Sequence, residues 1–346
     1  MNLPRARWAR RPLLVPAALT ALATLAPGAL ATAADDLPAP ENGLNLLVVG
    51  IDSREGVTEE EKERHRLGGR ACACTDVMML VHISAANDRM DVVSLPRDSL
   101  ATLPGPHHDR RDGEAHDAHP AKINNAWAEG GPAFTTEVVE AMTGLPVHRY
   151  LEIDFRRFMD TVDRIDGGVP VCTEQPLKDP VTGIDLAPGT TRVRGGEALQ
   201  YVRSRRADGQ MDFGRIRKQQ QFVVNTLERL RDGVLGDPER LKALATTLRG
   251  TGAADRGVSV AELVVLAGRL KNLSTARTAF ATVPVRGFNP DIEGVGSTVA
   301  WDAEGAAEVF GRLGRDEPLP PADAVVPSEI PAAVYRPADG ASLICP

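Results

Sequence analysis

Asn45 to Ile51 (NLLVVGI) is an unbroken apolar run, the pattern of a central strand buried on both faces. It ends in Asp52-Ser53-Arg54, polar groups at the C-terminal end of a strand, where α/β sheets place their ligands. Asp76 opens a second apolar strand running to Ile83. After a turn at Asn87-Asp88, Met90 to Leu95 reads as its partner and ends at Pro96-Arg97-Asp98. Between these strands, residues 55–71 are charged and contain Gly, a loop by composition. Further on, Phe134, Val138, Val139 and Met142 make an apolar stripe closed by Gly144 and Pro146. Leu151 to Phe155 reads as a short strand, with Phe155, Phe158, Met159 and Val162 lining the helix after it. These are core residues, or the lining of a slot for a long acyl or prenyl chain. Residues 169–190 are hairpin-like. Helical patterns follow at 238–249 and 260–272, then a strand at Ala279 to Val285 and a strand-to-helix unit at Thr298 to Leu313, all expected to complete the same α/β sheet. There are no internal repeats.

The segment from Gln200 to Gln221 departs from this regular texture. Between Arg192 and Lys218 eight basic residues face three acidic ones, a local +5 in a chain of net charge -7. Tyr201-Val202-Arg203-Ser204-Arg205 alternates like a strand, which would send Arg203 and Arg205 out on one face. Asp212 is a plausible cap for a helix through Leu230, on which Ile216, Val223, Leu227 and Leu230 form the buried stripe. Arg215 and Gln219 share another face near that helix's N-terminus, where the backbone also favours negative charge. Converged, these groups make a phosphate-sized site. Left apart, they are a solvated basic loop.

Four arginines (Arg5, Arg7, Arg10, Arg11), an Ala/Leu run from Leu13 to Leu30 and the small residues Ala31 to Ala34 have the layout of a secretory signal peptide. Cleavage is expected near Ala33 or Ala34, with an uncleaved N-terminal anchor as the alternative. Without residues 1–34 the chain carries 36 bases against 47 acids, a net charge of -11. A chain this acidic is a poor candidate for binding nucleic acid by charge. The expected organisation is a signal segment (1–34), a Pro-rich linker (35–43), one catalytic domain (44–315) and a Pro/Ala-rich tail (316–346). Cys72, Cys74, Cys172 and Cys345 in an exported chain imply two disulfides. Cys72 and Cys74 lie too close to pair comfortably, so each is expected to reach Cys172 or Cys345.

Asp52 and Asp76, at neighbouring strand ends, could together hold one Mg2+ whose remaining ligands are phosphate and water. Taken singly, each is as readily a turn cap or an arginine's partner. His107, His108, His116 and His119 crowd residues 104–120, but their spacing fits no closed zinc site. No P-loop, G-x-S-x-G or H-E-x-x-H pattern is present.

Six stretches in order (NLLVVGIDSR, CTDVMMLVHIS, VVSLPRDS, KINNAWAEGG, IDGGVPVC and GGEALQYVRSRRADGQMDFGRIRKQQQF) resemble the LytR–CpsA–Psr (LCP) family of cell-wall ligases. The resemblance implies a three-layer α/β/α sandwich with a mixed central β-sheet and a hydrophobic groove for a polyprenyl lipid. It implies an extracytoplasmic phosphotransferase, secreted or at the membrane surface on the outer face of the cytoplasmic membrane. Such an enzyme moves a glycopolymer such as teichoic acid from polyprenyl pyrophosphate to peptidoglycan and forms a phosphodiester. By position in the motifs, Asp52 and Asp76 match the Mg2+ ligands, Arg97 the pyrophosphate-binding arginine, and Lys122 the basic residue of KINNA. Arg203, Arg205, Arg215 and Gln219 match the phosphate clamp, while Arg54 and Asp98 occupy motif positions with looser roles. Asp98 would orient Arg97 or act as base toward the acceptor hydroxyl. Cys74 stands where many relatives have Arg, a charge that Arg70 could replace. A carrier pyrophosphatase and a non-enzymatic envelope regulator or lipid-binding module are the alternatives.

Overall fold

A computed structural model describes residues 40–68, 74–205, 209–249, 257–271, 273–321 and 323–346. The expected signal segment (1–34), Arg70 and Cys72 lie outside these. The fold is an α/β sandwich around a mixed six-stranded sheet. Its strands are β1 (Leu44–Ile51), β2 (Thr75–Ile83), β3 (Met90–Ser94), β4 (Arg149–Ile153), β5 (Thr278–Thr282) and β6 (Ala338–Asp339), in the order β6-β5-β3-β2-β1-β4. β2 runs antiparallel to both β1 and β3, whereas β4 joins β1, and β5 joins β3, in parallel. The antiparallel β1-β2-β3 meander therefore brings the end of β1, the start of β2 and the end of β3 to one edge. That edge carries Asp52, Asp76 and Arg97. Gly50 pairs with Val77 and Ile51 with Thr75, so Asp76 is the extra residue of a β-bulge, a device that re-aims a side chain.

Eight helices are described: α1 (Glu59–Arg64), α2 (Asn125–Thr143), α3 (Phe155–Asp163), α4 (Gly195–Arg203), α5 (Met211–Gly233), α6 (Pro238–Leu248), α7 (Val260–Leu270) and α8 (Ala303–Gly314). Side-chain alternation along the strands divides the core in two. On one face Leu47, Val49, Met78, Leu80 and Val93 pack against α2 and α8 and are almost wholly buried. On the other, Leu44, Leu46, Met79 and Val92 meet α5 and α7. There Val48, Val77, Val81 and Leu151 on the sheet, and Val223, Leu227, Leu248 and Val264 opposite, remain only half-buried. No helix among the described residues is long and apolar enough to cross a membrane.

Several expectations are corrected. Tyr201 to Arg203 end a helix, α4, rather than forming a strand. Ala198, Leu199 and Val202 recur at helical spacing and bury one face, a period longer than the five-residue window that alternates. Residues 59–64 form a short helix rather than loop, started by the capping box of Thr58 and Glu61. Val299–Trp301 pairs with Val285–Phe288 in a separate ladder, outside the central sheet. Phe155, Met159 and Val162 are packed core, the first of the two readings of their pattern.

The predicted disulfide pattern is also overturned, because Cys172 and Cys345 bond to each other. Cys74 is disulfide-bonded too. The tail explains the pairing. Leu319, Ala333 and Tyr335 enter the core, β6 adds an edge strand, and the Cys345 N–H donates to Asn225 Oδ1 on α5 at 3.0 Å. The bond closes a separation of 173 residues. A Cys172→Ser/Cys345→Ser chain should therefore lose about 5 kcal/mol on the chain-entropy account, read from denaturant melts. A loss under ~1 kcal/mol would mean that packing alone holds the tail.

Candidate active site

Asp76 sits at the centre of an ionic cluster. Its Oδ1 accepts from Arg97 Nη1 at 2.6 Å, and Arg215 Nη1 and Arg205 Nη2 lie 3.4 and 3.5 Å from the same oxygen. These arginines come from three places: the end of β3, the segment after α4, and the first turns of α5. Asp212, also on α5, lies 2.9 Å from Arg215 Nη2 and 3.1 Å from Arg205 Nε. At the neighbouring strand end, Arg54 forks onto Asp52, with Nε and Nη2 at 3.1 and 3.2 Å from its two oxygens. Arg203, the last residue of α4, feels the field of both acids and lies over the Phe155 ring, 5.1 Å from its centroid. Asp98 extends the cluster outward, 3.3 Å from Lys122 Nζ and 3.8 Å from Arg97 Nε.

Burial sets the charge states. Desolvation pushes the Asp76 carboxyl up, but the combined pull of Arg215, Arg97 and Arg205 prevails and holds it below the usual carboxylate range. Arg215, only 3% exposed, is pushed by burial down to about 10 against the field of Asp212. Burial likewise lowers Arg203. Both guanidinium groups stay cationic at neutral pH.

Even so, the cluster is not internally satisfied. Arg97 Nε, Arg203 Nη1 and Arg215 Nε are buried with no hydrogen-bond partner. Arg205 Nε is close to Asp212 but outside hydrogen-bonding geometry. A buried donor without an acceptor costs about 1–3 kcal/mol, more for a charged group. Among the described residues, six cations (Arg54, Arg97, Lys122, Arg203, Arg205, Arg215) face four carboxylates (Asp52, Asp76, Asp98, Asp212), leaving an excess of two positive charges. Stranded donors and surplus charge both call for a multiply charged anion with several acceptor oxygens.

Gln219 is not among the groups facing the acids. Its amide donates to the Val202 carbonyl at 3.1 Å, tying the end of α4 to α5 beside Arg203. Asp212 is not the predicted cap: Gln210 is the N-cap of α5, and the Asp212 carboxylate turns to the arginines instead. Its position three residues before Arg215 was the available signal. Beyond Asp98 a cleft of about 580 Å³ opens, lined in part by Phe213, Val299, Ile330 and Pro331. Met211 and Phe288, 60% and 57% exposed, stand at it.

Carboxylate oxygens are the donor type a small hard cation takes, although Arg54 forks onto both oxygens of Asp52. Asp52 and Asp76 offer carboxylate oxygens at adjacent strand ends, and the three arginines on Asp76 all address Oδ1.

Comparison with known proteins agrees with this architecture. The chain is 32% identical over 273 residues to the probable cell wall biosynthesis protein LcpB of Corynebacterium glutamicum, covering 78% of this chain and 61% of that protein. It spans about three-fifths of the curated relatives it matches first. A polyisoprenyl-teichoic acid–peptidoglycan teichoic acid transferase, TagU of Oceanobacillus iheyensis, is 25% identical over 272 residues, 76% of this chain and 73% of TagU. Among solved structures, B. subtilis TagT superposes with a TM-score of 0.58 at 22% identity, covering 81% of this chain and 92% of TagT. The LytR_cpsA_psr family pattern matches residues 26–310, and the chain belongs to that family.

Proposed function

We propose that this chain is an extracytoplasmic phosphotransferase that moves a cell-wall glycopolymer from a polyprenyl-diphosphate carrier to a hydroxyl of peptidoglycan. The observation that carries the reading is the set of buried guanidinium N–H groups left without acceptors around two carboxylates. The kinship with a teichoic acid transferase supports it.

Arg97, Arg203, Arg205 and Arg215 bind the diphosphate oxygens and stabilise the charge that grows on the leaving phosphate. Gln219 positions Arg203 through the Val202 carbonyl, and Asp212 holds Arg205 and Arg215 in place. Mg2+, when bound, would be held by Asp52 and Asp76 and would neutralise oxygens that the arginines do not reach. The acceptor approaches through the cleft beside Asp98. Its hydroxyl oxygen bonds to the phosphorus that bears the glycopolymer, and that phosphorus parts from the bridging oxygen. The electron pair leaves with polyprenyl phosphate, and the hydroxyl proton passes to the Asp98 carboxylate, which Lys122 and Arg97 flank. The lipid would lie on the face of the sheet where Val48, Val81, Val223 and Val264 are only partly buried.

Incubating the chain with a lipid-linked glycopolymer, Mg2+ and peptidoglycan tests the reading. Mass spectrometry should find a phosphodiester-linked conjugate and polyprenyl monophosphate in equal amounts. Polyprenyl monophosphate without any conjugate would instead establish a hydrolase.

A further inference from the structure

Outside this site, the excursion between β3 and α2 gathers side chains that the transfer reaction does not use. A short hairpin sets His107 directly opposite His116, and His119 follows at the start of the strand His119–Lys122. Their three rings lie with centroids 5.7–5.8 Å apart. Glu129 reaches them from α2, just before the kink at Gly131-Pro132, and its side chain is only 2% exposed. The Arg110 N–H donates to the Glu129 carbonyl at 2.8 Å and fastens the hairpin to the helix at that point.

The ring orientations are informative. Nδ1 of His107 lies 2.9 Å from the Pro104 carbonyl, and Nδ1 of His119 lies 2.9 Å from the Asp117 carbonyl. A carbonyl only accepts, so each Nδ1 carries the hydrogen. Each Nε2 then faces Glu129 Oε2, at 3.3 and 3.2 Å respectively. Two neutral rings would aim lone pairs at one carboxylate oxygen. A shared cation turns that repulsion into coordination, and Nδ1–H bonded to a backbone carbonyl is the usual support of a metal-ligating histidine. Arg111 Nη2 holds the other carboxylate oxygen, Oε1, at 2.9 Å. The ligand atoms of His116, His119 and Glu129 all lie within 4.8 Å of one another. Ligands sharing one zinc at about 2.0–2.2 Å sit roughly 3.4 Å apart, so small side-chain rotations close the site.

We propose that His116, His119 and Glu129 bind one divalent transition-metal ion of the zinc class, with His107 at the fourth position. Two or three imidazoles with one carboxylate select such an ion over Mg2+ or Ca2+. The ion fastens the hairpin and the His119–Lys122 strand to α2. Lys122, at the far end of that strand, is thereby fixed beside Asp98. The proposal does not depend on the transfer reading.

Titration of metal-stripped protein with Co2+ tests it. One equivalent should develop the visible absorption of a four- or five-coordinate nitrogen-containing site. Zn2+ should displace it and a large excess of Mg2+ should not. His119→Gln and Glu129→Gln should each weaken Co2+ binding at least tenfold, while Asp52→Asn leaves it intact. X-ray absorption of the Zn2+ form of the unaltered chain should show at least two imidazole ligands, whatever the variants' stability. No Co2+ absorption, an all-oxygen coordination shell, or full binding in the folded His119→Gln chain would overturn the assignment.

Discussion

Arg203→Met should reduce transfer at least about 100-fold, the scale seen on removing one donor to a developing oxyanion, while leaving the melting temperature unchanged or higher. The two effects share one cause. Arg203 is held in a site that desolvates it and leaves Nη1 without an acceptor, so the folded chain gains little from its charge. Met keeps most of the aliphatic contact and the packing against Phe155. An arginine kept for stability would behave oppositely, with a lower melting temperature and near-normal turnover. Functional groups maintained at a cost to stability behave in the way expected here. Thermal melts beside initial rates on lipid-linked substrate separate the two cases.

Asp76→Asn should damage both properties. Three guanidinium groups converge on Asp76 Oδ1, and removing its charge leaves them facing an amide. Breaking one side of a buried ionic arrangement typically costs about 3–5 kcal/mol. Some 20% exposure of this side chain argues for the lower end. Transfer should fall as well, because a ligand of the proposed Mg2+ is lost. The stability difference should depend on pH in a defined sense. The folded pKa of Asp76 lies below its unfolded value of about 3.9, so its stabilisation is complete above roughly pH 4 and fades at lower pH. Denaturant melts of the two chains should therefore differ most at neutral pH and converge in acid.

Much of this was legible in the chain itself, because it depends on local pattern. The apolar run of β1, the turn at Asn87-Asp88 and the stop at Gly144 are each written within a few residues. Polar groups at the ends of three successive strands implied that the strand ends meet, and an antiparallel meander makes them do so. What was missed depends on distance in space. Arg203 was placed on a strand because five residues alternate, whereas nine residues of helix decide. The disulfide partners could not be chosen, because nothing local reports that the tail returns to α5. The contact of Nε2 of His107 and His119 with Glu129 was not legible either, because Glu129 arrives from another element.

The most direct measurement is a crystal structure of the chain with Mg2+ and a polyprenyl diphosphate. The account predicts diphosphate oxygens at about 2.7–2.9 Å from Arg203 Nη1 and Arg97 Nε, with Asp52 and Asp76 on the ion. A diphosphate bound elsewhere, with those N–H groups still unpaired and the two carboxylates still locked to their arginines, would contradict it.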